Sequence, residues 1–251
     1  MKKRTFVLLR GLGHESRHWG SFSKQLAEQK FCEKVILSEL PGSGVRLKDK
    51  SYASIPKIAD DIYRTYKDSW LKHRPLSIIG LSLGGMLTLE LLSQHPDLFS
   101  EFFIMNSSTG KLSPFYQRMK FSAMPKILNI SMEHKSELRA KLMVELSSKL
   151  KLKDEKILKE HTHILESAPV SFKTLVQQLY AAVRYKGPYR EIKTPGLILT
   201  SQHDELVDYK CSKALAHHLS TDLLTHESAG HDLTLDDAEW VVEKLRDYYS
   251  K

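Results

Sequence analysis

The feature that most constrains this chain is an alternation. Six short apolar runs rich in Val, Ile, Leu and Phe recur at residues 5–9, 34–38, 76–80, 102–106, 196–200 and 223–226. Each has the length of a strand, and most read as buried on both faces. Helical patterns separate them. Residues 53–73 place Ile55, Ile58, Ala59, Ile62, Tyr66 and Trp70 at spacings of three and four, which makes one apolar face. Residues 83–95 carry Met86, Leu87, Leu89, Leu91 and Leu92 before Pro96 stops the pattern. Strands that alternate with helices pair in parallel through right-handed crossovers, so the expected fold class is α/β with a mostly parallel, doubly wound sheet of about six strands.

One segment breaks the alternation. Between residues 111 and 186, Leu138, Leu142, Leu146 and Leu150 lie four apart, and Phe172, Leu175, Val176, Leu179 and Val183 repeat at a helical period. This predicts a helical insertion, a lid at 111–186 within a core made of 1–110 and 187–251. Over an open parallel sheet, such an insertion sits at the carboxyl ends of the strands, where ligands bind. The insertion also carries the net charge of +8: it holds fifteen Lys and Arg against seven Asp and Glu, and the remaining chain is balanced. A solvated helical surface accounts for that excess, and so does a docking face for an acidic partner.

Other classes are excluded or disfavoured. No run approaches the roughly eighteen apolar residues of a membrane span. The opening MKKRTFVLLRG has only Phe6 to Leu9 as an apolar run before Arg10, too short for a secretory signal, and reads as a strand. Cys32 and Cys211 are too few for a disulfide framework and have no metal-type spacing, so a cytoplasmic protein with free thiols and no metal is expected. Nucleic-acid binding has no phosphate loop, zinc pattern or aromatic signature behind it.

The chemistry points to residues 80–84, where GLSLG sets Ser82 between two glycines after an apolar run and before a helical one. G-x-S-x-G at a strand-to-helix turn is the nucleophile elbow. A serine hydroxyl is a weak nucleophile and needs a base, usually a histidine oriented by a carboxylate. Of twelve histidines, His231 lies in the loop after the last strand, beside Ala229 and Gly230. Asp204 follows the strand at 196–200; Asp208 is a rival that reads better as a helix cap, and Glu205 is adjacent. The order serine, acid, histidine is the expected one. Two backbone N–H groups should hold the developing oxyanion: Leu83 at the start of a helix, and Leu12 in the loop after the first strand. Phe115, Tyr116, Met119, Phe121 and Met124 are candidates for an apolar acyl pocket, and ordinary packing of the lid on the body accounts for them equally well. His14, His18 and Trp19, just beyond the oxyanion loop, could touch substrate but read better as loop packing, and His161, His163, His217 and His218 read as exposed helix residues.

Those pieces carry a resemblance. With LLRGLG at the oxyanion loop, SLGG at the elbow, HDELV at the acid and AGHD at the base, the chain resembles the α/β-hydrolase superfamily over nearly its whole length. It is most similar to small bacterial carboxylesterases of the pimeloyl-[acyl-carrier protein] methyl ester esterase type. The resemblance implies a cofactor-free and metal-free serine hydrolase with a lid of about four helices and without the usual opening hairpin. It implies an acyl ester or thioester as substrate, cleaved through an acyl-enzyme, and an acidic acyl-carrier protein as a candidate partner at the basic lid. Arg10 stands where the family usually has histidine, and Leu12 and Leu81 stand where the esterase has tryptophan. These departures alter the pocket walls and leave the substrate open. The same three side chains serve C–C hydrolases, lyases and slow-turnover ligand binders.

Overall fold

Every strand expected from the sequence forms, with its ends moved by one or two residues. The computed structural model describes residues 3–188 and 190–250. The strands are β1 (Arg4–Leu9), β2 (Cys32–Leu37), β3 (Leu76–Leu81), β4 (Glu101–Met105), β5 (Gly196–Ser201) and β6 (Asp222–His226). The helices are α1 (Gly20–Ala27), α2 (Ile55–Leu71), α3 (Leu83–Gln94), α4 (Phe115–Arg118), α5 (Met124–Met132), α6 (Ser136–Ser147), α7 (Glu155–Ser167), α8 (Phe172–Arg184), α9 (Tyr209–Leu219), α10 (Leu233–Asp236) and α11 (Ala238–Ser250). The sheet runs β2-β1-β3-β4-β5-β6, with every neighbouring pair parallel.

Successive residues of a strand point to opposite faces, and the core divides accordingly. Val7, Ile78, Ile104 and Ile198 face one layer, where they meet Ile58, Ile62 and Trp70 of α2 and Leu87 and Leu91 of α3. Phe6, Ile79, Phe103 and Leu199 face the other, against Phe22 and Leu26 of α1 and Val241 and Leu245 of α11. Each such side chain contributes about 1.5–3 kcal/mol by leaving water. Burial on both faces holds for β3 and β4, which have no exposed residue. It does not hold for β2 and β6, which are partly exposed. Those two form the sheet edges and have a neighbouring strand on one side only.

Between β4 and β5 the chain leaves the sheet to form α4 through α8. The excursion is closed at its base, since Gly110 N–H donates to Tyr185 O at 2.9 Å and Lys111 N–H to Lys186 O at 2.8 Å. The spacing of leucines extended a helix to Leu150, yet α6 ends at Ser147. The reason is a carboxylate on α10: Asp236 accepts the N–H of Lys149 at 2.9 Å and of Leu150 at 3.1 Å, and the Ser148 hydroxyl also donates to it. Those amides turn to Asp236 instead of continuing the helical ladder.

Candidate active site

The turn from β3 into α3 puts Ser82 at φ 58°, ψ −117°, a region costly for any residue with a side chain. Three contacts hold it there. Its N–H donates to Met105 O at 2.8 Å, and its carbonyl accepts Gly85 N–H at 2.9 Å and the Ser107 hydroxyl at 2.7 Å. Close approach explains the flanking glycines. A Cβ on Gly84 would overlap the Leu9 carbonyl oxygen, and one on Gly80 would overlap the carbonyl of Gly84.

His231 and Asp204 come from loops after β6 and β5, and they meet. His231 Nδ1 lies 2.7 Å from Asp204 Oδ2, and both side chains are buried. Asp204 Oδ1 accepts the N–H groups of Leu206 at 2.7 Å and Val207 at 2.9 Å, so the carboxylate has donors on both oxygens. A carboxylate accepts, so in the neutral imidazole the proton sits on Nδ1 and Nε2 is the acceptor. The rival acids are engaged elsewhere. Asp208 caps α9 by accepting Lys210 N–H at 2.9 Å, and Glu205 pairs with Lys126 at 2.5 Å and with Lys149.

Asn106, just past β4, joins these loops and was not singled out by its sequence context. Its amide nitrogen donates to His231 O at 2.7 Å and Ser201 Oγ at 3.0 Å. Its Oδ1 accepts Ser201 N–H at 2.9 Å and the Thr200 hydroxyl at 3.1 Å. It is buried and sits at φ 46°, a left-handed conformation that asparagine tolerates better than most residues.

Ser82, His231, Leu12 and Leu83 line one cavity of about 210 Å³, several times the roughly 30 Å³ share of a water molecule in the liquid. Leu83 opens α3, so its N–H has no intrahelical acceptor and lies at the positive end of the helix. Leu12 N–H donates to no acceptor among the described residues. The outer walls come from α4 through α8, including Met119, Ile127, Met143, Leu165 and Leu175. Of the residues expected to form an acyl pocket, only Met119 lines it. Phe115, Tyr116, Phe121 and Met124 are instead exposed on the outer surface, because α4 and α5 turn other residues inward.

A buried polar cluster adjoins the cavity, with Arg10, His14 and Asp232 in its lining. Arg10 pairs with Asp232, Nη2 to Oδ2 at 2.5 Å, and stands 4.8 Å from the Trp19 ring. Burial raises the Asp232 pKa, but the Arg10 charge and its hydrogen bonds outweigh that and hold it far below the ordinary carboxylate range. His14, His18 and His161 stack edge to face, at 4.6 Å and 4.9 Å between rings. His161 is therefore not an exposed helix residue: α7 turns it inward, where it is 4 % exposed. Burial, and the nearby Arg10 charge, push His14 down to about 3; burial pushes His161 down to about 4, and His18 also falls well below its ordinary value. His14 lines the cavity as well, beyond simple loop packing. His163, His217 and His218 are exposed as expected. Among the described residues, no group of three or more His, Cys, Asp or Glu is placed to hold a metal ion, and no helix is long and apolar enough to cross a membrane.

A doubly wound parallel sheet with a serine at the turn after β3, an aspartate after β5 and a histidine after β6 has the form of an α/β-hydrolase. The chain belongs to the Hydrolase_4 family, serine aminopeptidase S33, whose family model matches residues 1–238. It is 25 % identical over 253 aligned positions to a proposed carbamate hydrolase, RutD, of Serratia proteamaculans (strain 568), covering 94 % of this chain and 86 % of the relative. Among solved structures it is similar to the esterase EaEST of Exiguobacterium antarcticum, with a TM-score of 0.80 at 18 % identity over 100 % of this chain and 93 % of that one. A thermophilic esterase of Thermogutta terrifontis gives a TM-score of 0.72 at 17 % identity, covering 99 % and 90 %. At such identities these structures speak for the fold, and the family for a hydrolase.

Proposed function

We propose that this hydrolase cleaves a carboxylic ester or thioester through an acyl-enzyme, with Ser82 as nucleophile, His231 as base and Asp204 as its orienting acid. The observation that carries the reading is the Asp204–His231 contact beside the cavity that His231 shares with Ser82. Ser82 Oγ attacks the carbonyl carbon as His231 Nε2 takes its proton. The negative charge that develops on the carbonyl oxygen is held by the N–H groups of Leu12 and Leu83. Asp204 stabilises the imidazolium, which then protonates the departing alcohol or thiol. Water, activated by His231, attacks the acyl-serine, and collapse of the second tetrahedral intermediate frees the acid and Ser82.

In this reading residues 111–186 act as a lid over the core, and their basic surface is a candidate site for an acidic acyl-carrier protein. The two buried free cysteines fit a reducing, cytoplasmic setting. A carbamate carbonyl is open to the same attack, so the activity named for the RutD relative falls within the same chemistry and belongs in the substrate panel. The test is intact mass after incubation with a fluorophosphonate, which phosphonylates an activated serine without needing the natural acyl group. A single adduct on the wild type and none on folded Ser82→Ala is expected. An adduct that survives Ser82→Ala, or no adduct on either protein, overturns the assignment of the nucleophile.

A further inference from the structure

The cavity is lined by three guanidinium groups, and by one carboxylate among the described residues. Two of the three are committed. Arg10 is paired with that carboxylate, Asp232. Arg118 donates to Ala182 O at 2.6 Å, to Val183 O at 3.0 Å and to Ser108 Oγ at 3.3 Å, which closes the last turn of α8.

Arg139, on α6, is uncommitted. It is half-buried, forms no ion pair with a described residue, and its Nε is fully buried without an acceptor. The cavity walls contributed by α5 and α6 beside it are apolar, with Ile127, Ile130 and Met143, while the Ser131 hydroxyl is turned back to Ile127 O at 2.8 Å. Burial alone lowers the Arg139 pKa, since no charge nearby offsets it. A guanidinium partly withdrawn from water beside hydrocarbon gains when an anion pairs with it.

We propose that Arg139 is the anion-recognition residue of the substrate site, and that the substrate is an ester or thioester with an apolar body and a carboxylate remote from the reacting carbonyl. This rests on reading the Ser82 cavity as the acyl site. A carboxylate is favoured over a phosphate because one guanidinium fork satisfies both carboxylate oxygens, whereas a phosphate presents three oxygens and a larger charge. The apolar walls accept the connecting chain, and the carboxylate then fixes which end of the molecule reaches Ser82.

The experiment separates binding from turnover. Ser82→Ala is titrated by calorimetry with the monomethyl esters of straight-chain dicarboxylic acids from succinic to suberic, with the methyl esters of the matching monocarboxylic acids, and with monoalkyl phosphates of the same lengths. At the best length the carboxylate ester is expected to bind roughly tenfold or more tightly than its neutral counterpart. Adding Arg139→Gln should bring that ratio close to one, and Arg139→Lys, which keeps the charge without the fork, should restore part of it. No binding by any dicarboxylate monoester, equal affinity for charged and neutral esters, a charge preference that survives Arg139→Gln, or a phosphate that binds tightest would overturn the proposal. Wild-type hydrolysis is scored separately. Charge-selective binding without hydrolysis sinks the esterase reading and leaves Arg139 its role, while hydrolysis without charge preference does the reverse.

Discussion

Gln178 reaches from α8 to the loop after β1, where its Oε1 accepts the N–H of Gly13 at 2.9 Å. The peptide it holds is next to Leu12, and Gly13 is at φ 70°. The loop proposed to hold the oxyanion is therefore fixed by a side chain from the segment between β4 and β5, not by the sheet alone. Gln178→Leu removes that acceptor while keeping a buried side chain. The turnover number is expected to fall roughly tenfold, less than the loss from deleting an oxyanion donor outright, with a smaller change in KM. Steady-state kinetics on an activated ester check both.

Asn106→Leu tests how the His231 loop is joined to the end of β5. It leaves Ser201 N–H and His231 O without their buried partner. Each orphaned group costs about 1–3 kcal/mol, so urea unfolding should show a loss of about 2–6 kcal/mol. The rate of fluorophosphonate labelling should fall with it, because the peptide that carries His231 loses its anchor.

The Arg10–Asp232 pair, with both side chains nearly inaccessible, gives an asymmetric prediction. Arg10→Leu alone leaves a buried, unpaired carboxylate and should cost about 3–5 kcal/mol. Arg10→Leu with Asp232→Asn removes the charge and keeps an oxygen to accept Leu235 N–H at the start of α10. The double variant should therefore be more stable than the single one, a reversal that a double-mutant cycle in urea reads directly.

Acid sensitivity follows from the histidine cluster. In the unfolded chain His14, His18 and His161 take up protons near their ordinary value of 6.5; in the folded protein His14 does so only near 3, His161 near 4, and His18 well below its ordinary value. The unfolded state binds more protons through that window, so stability falls as pH drops below about 6.5. The slope is up to about 1.4 kcal/mol per pH unit for each histidine. Melting temperatures compared at pH 7.5 and pH 5 should show the drop. His161→Leu, which removes one of the three groups, should reduce the difference between the two.

Local pattern made the strands legible, because a buried parallel strand is a short apolar run bounded by turn residues. It also marked Ser82, whose glycine neighbours are dictated by backbone contact with Leu9 and with the next turn of α3. His231 and Asp204 were legible through order along the chain, each falling in a loop after a strand. Pairings across distant stretches left no such trace. Arg10 stood out only as a departure from the family pattern, since its partner Asp232 lies at the other end of the chain. Gln178 has no neighbouring motif that marks it, because its partner Gly13 lies 165 positions away in the chain. The inward turn of His161 was hidden because α7 packs on α6 rather than on the sheet. The outward turn of Phe115, Tyr116 and Phe121 runs against their hydrophobicity.

The two hydrogen bonds between Gly110 and Tyr185 and between Lys111 and Lys186 bring the entry and exit of the excursion side by side. An insertion whose ends already touch can change length at small entropic cost, because closure depends only weakly on the number of residues enclosed. The stretch that supplies the outer cavity walls and the stretch that carries Ser82, Asp204 and His231 meet at this narrow base, and Gln178 ties the first back to the loop of Gly13. A different helical cassette grafted between positions 110 and 187 would therefore give the cavity new walls over the same sheet, provided that it still offers the Gly13 N–H an acceptor.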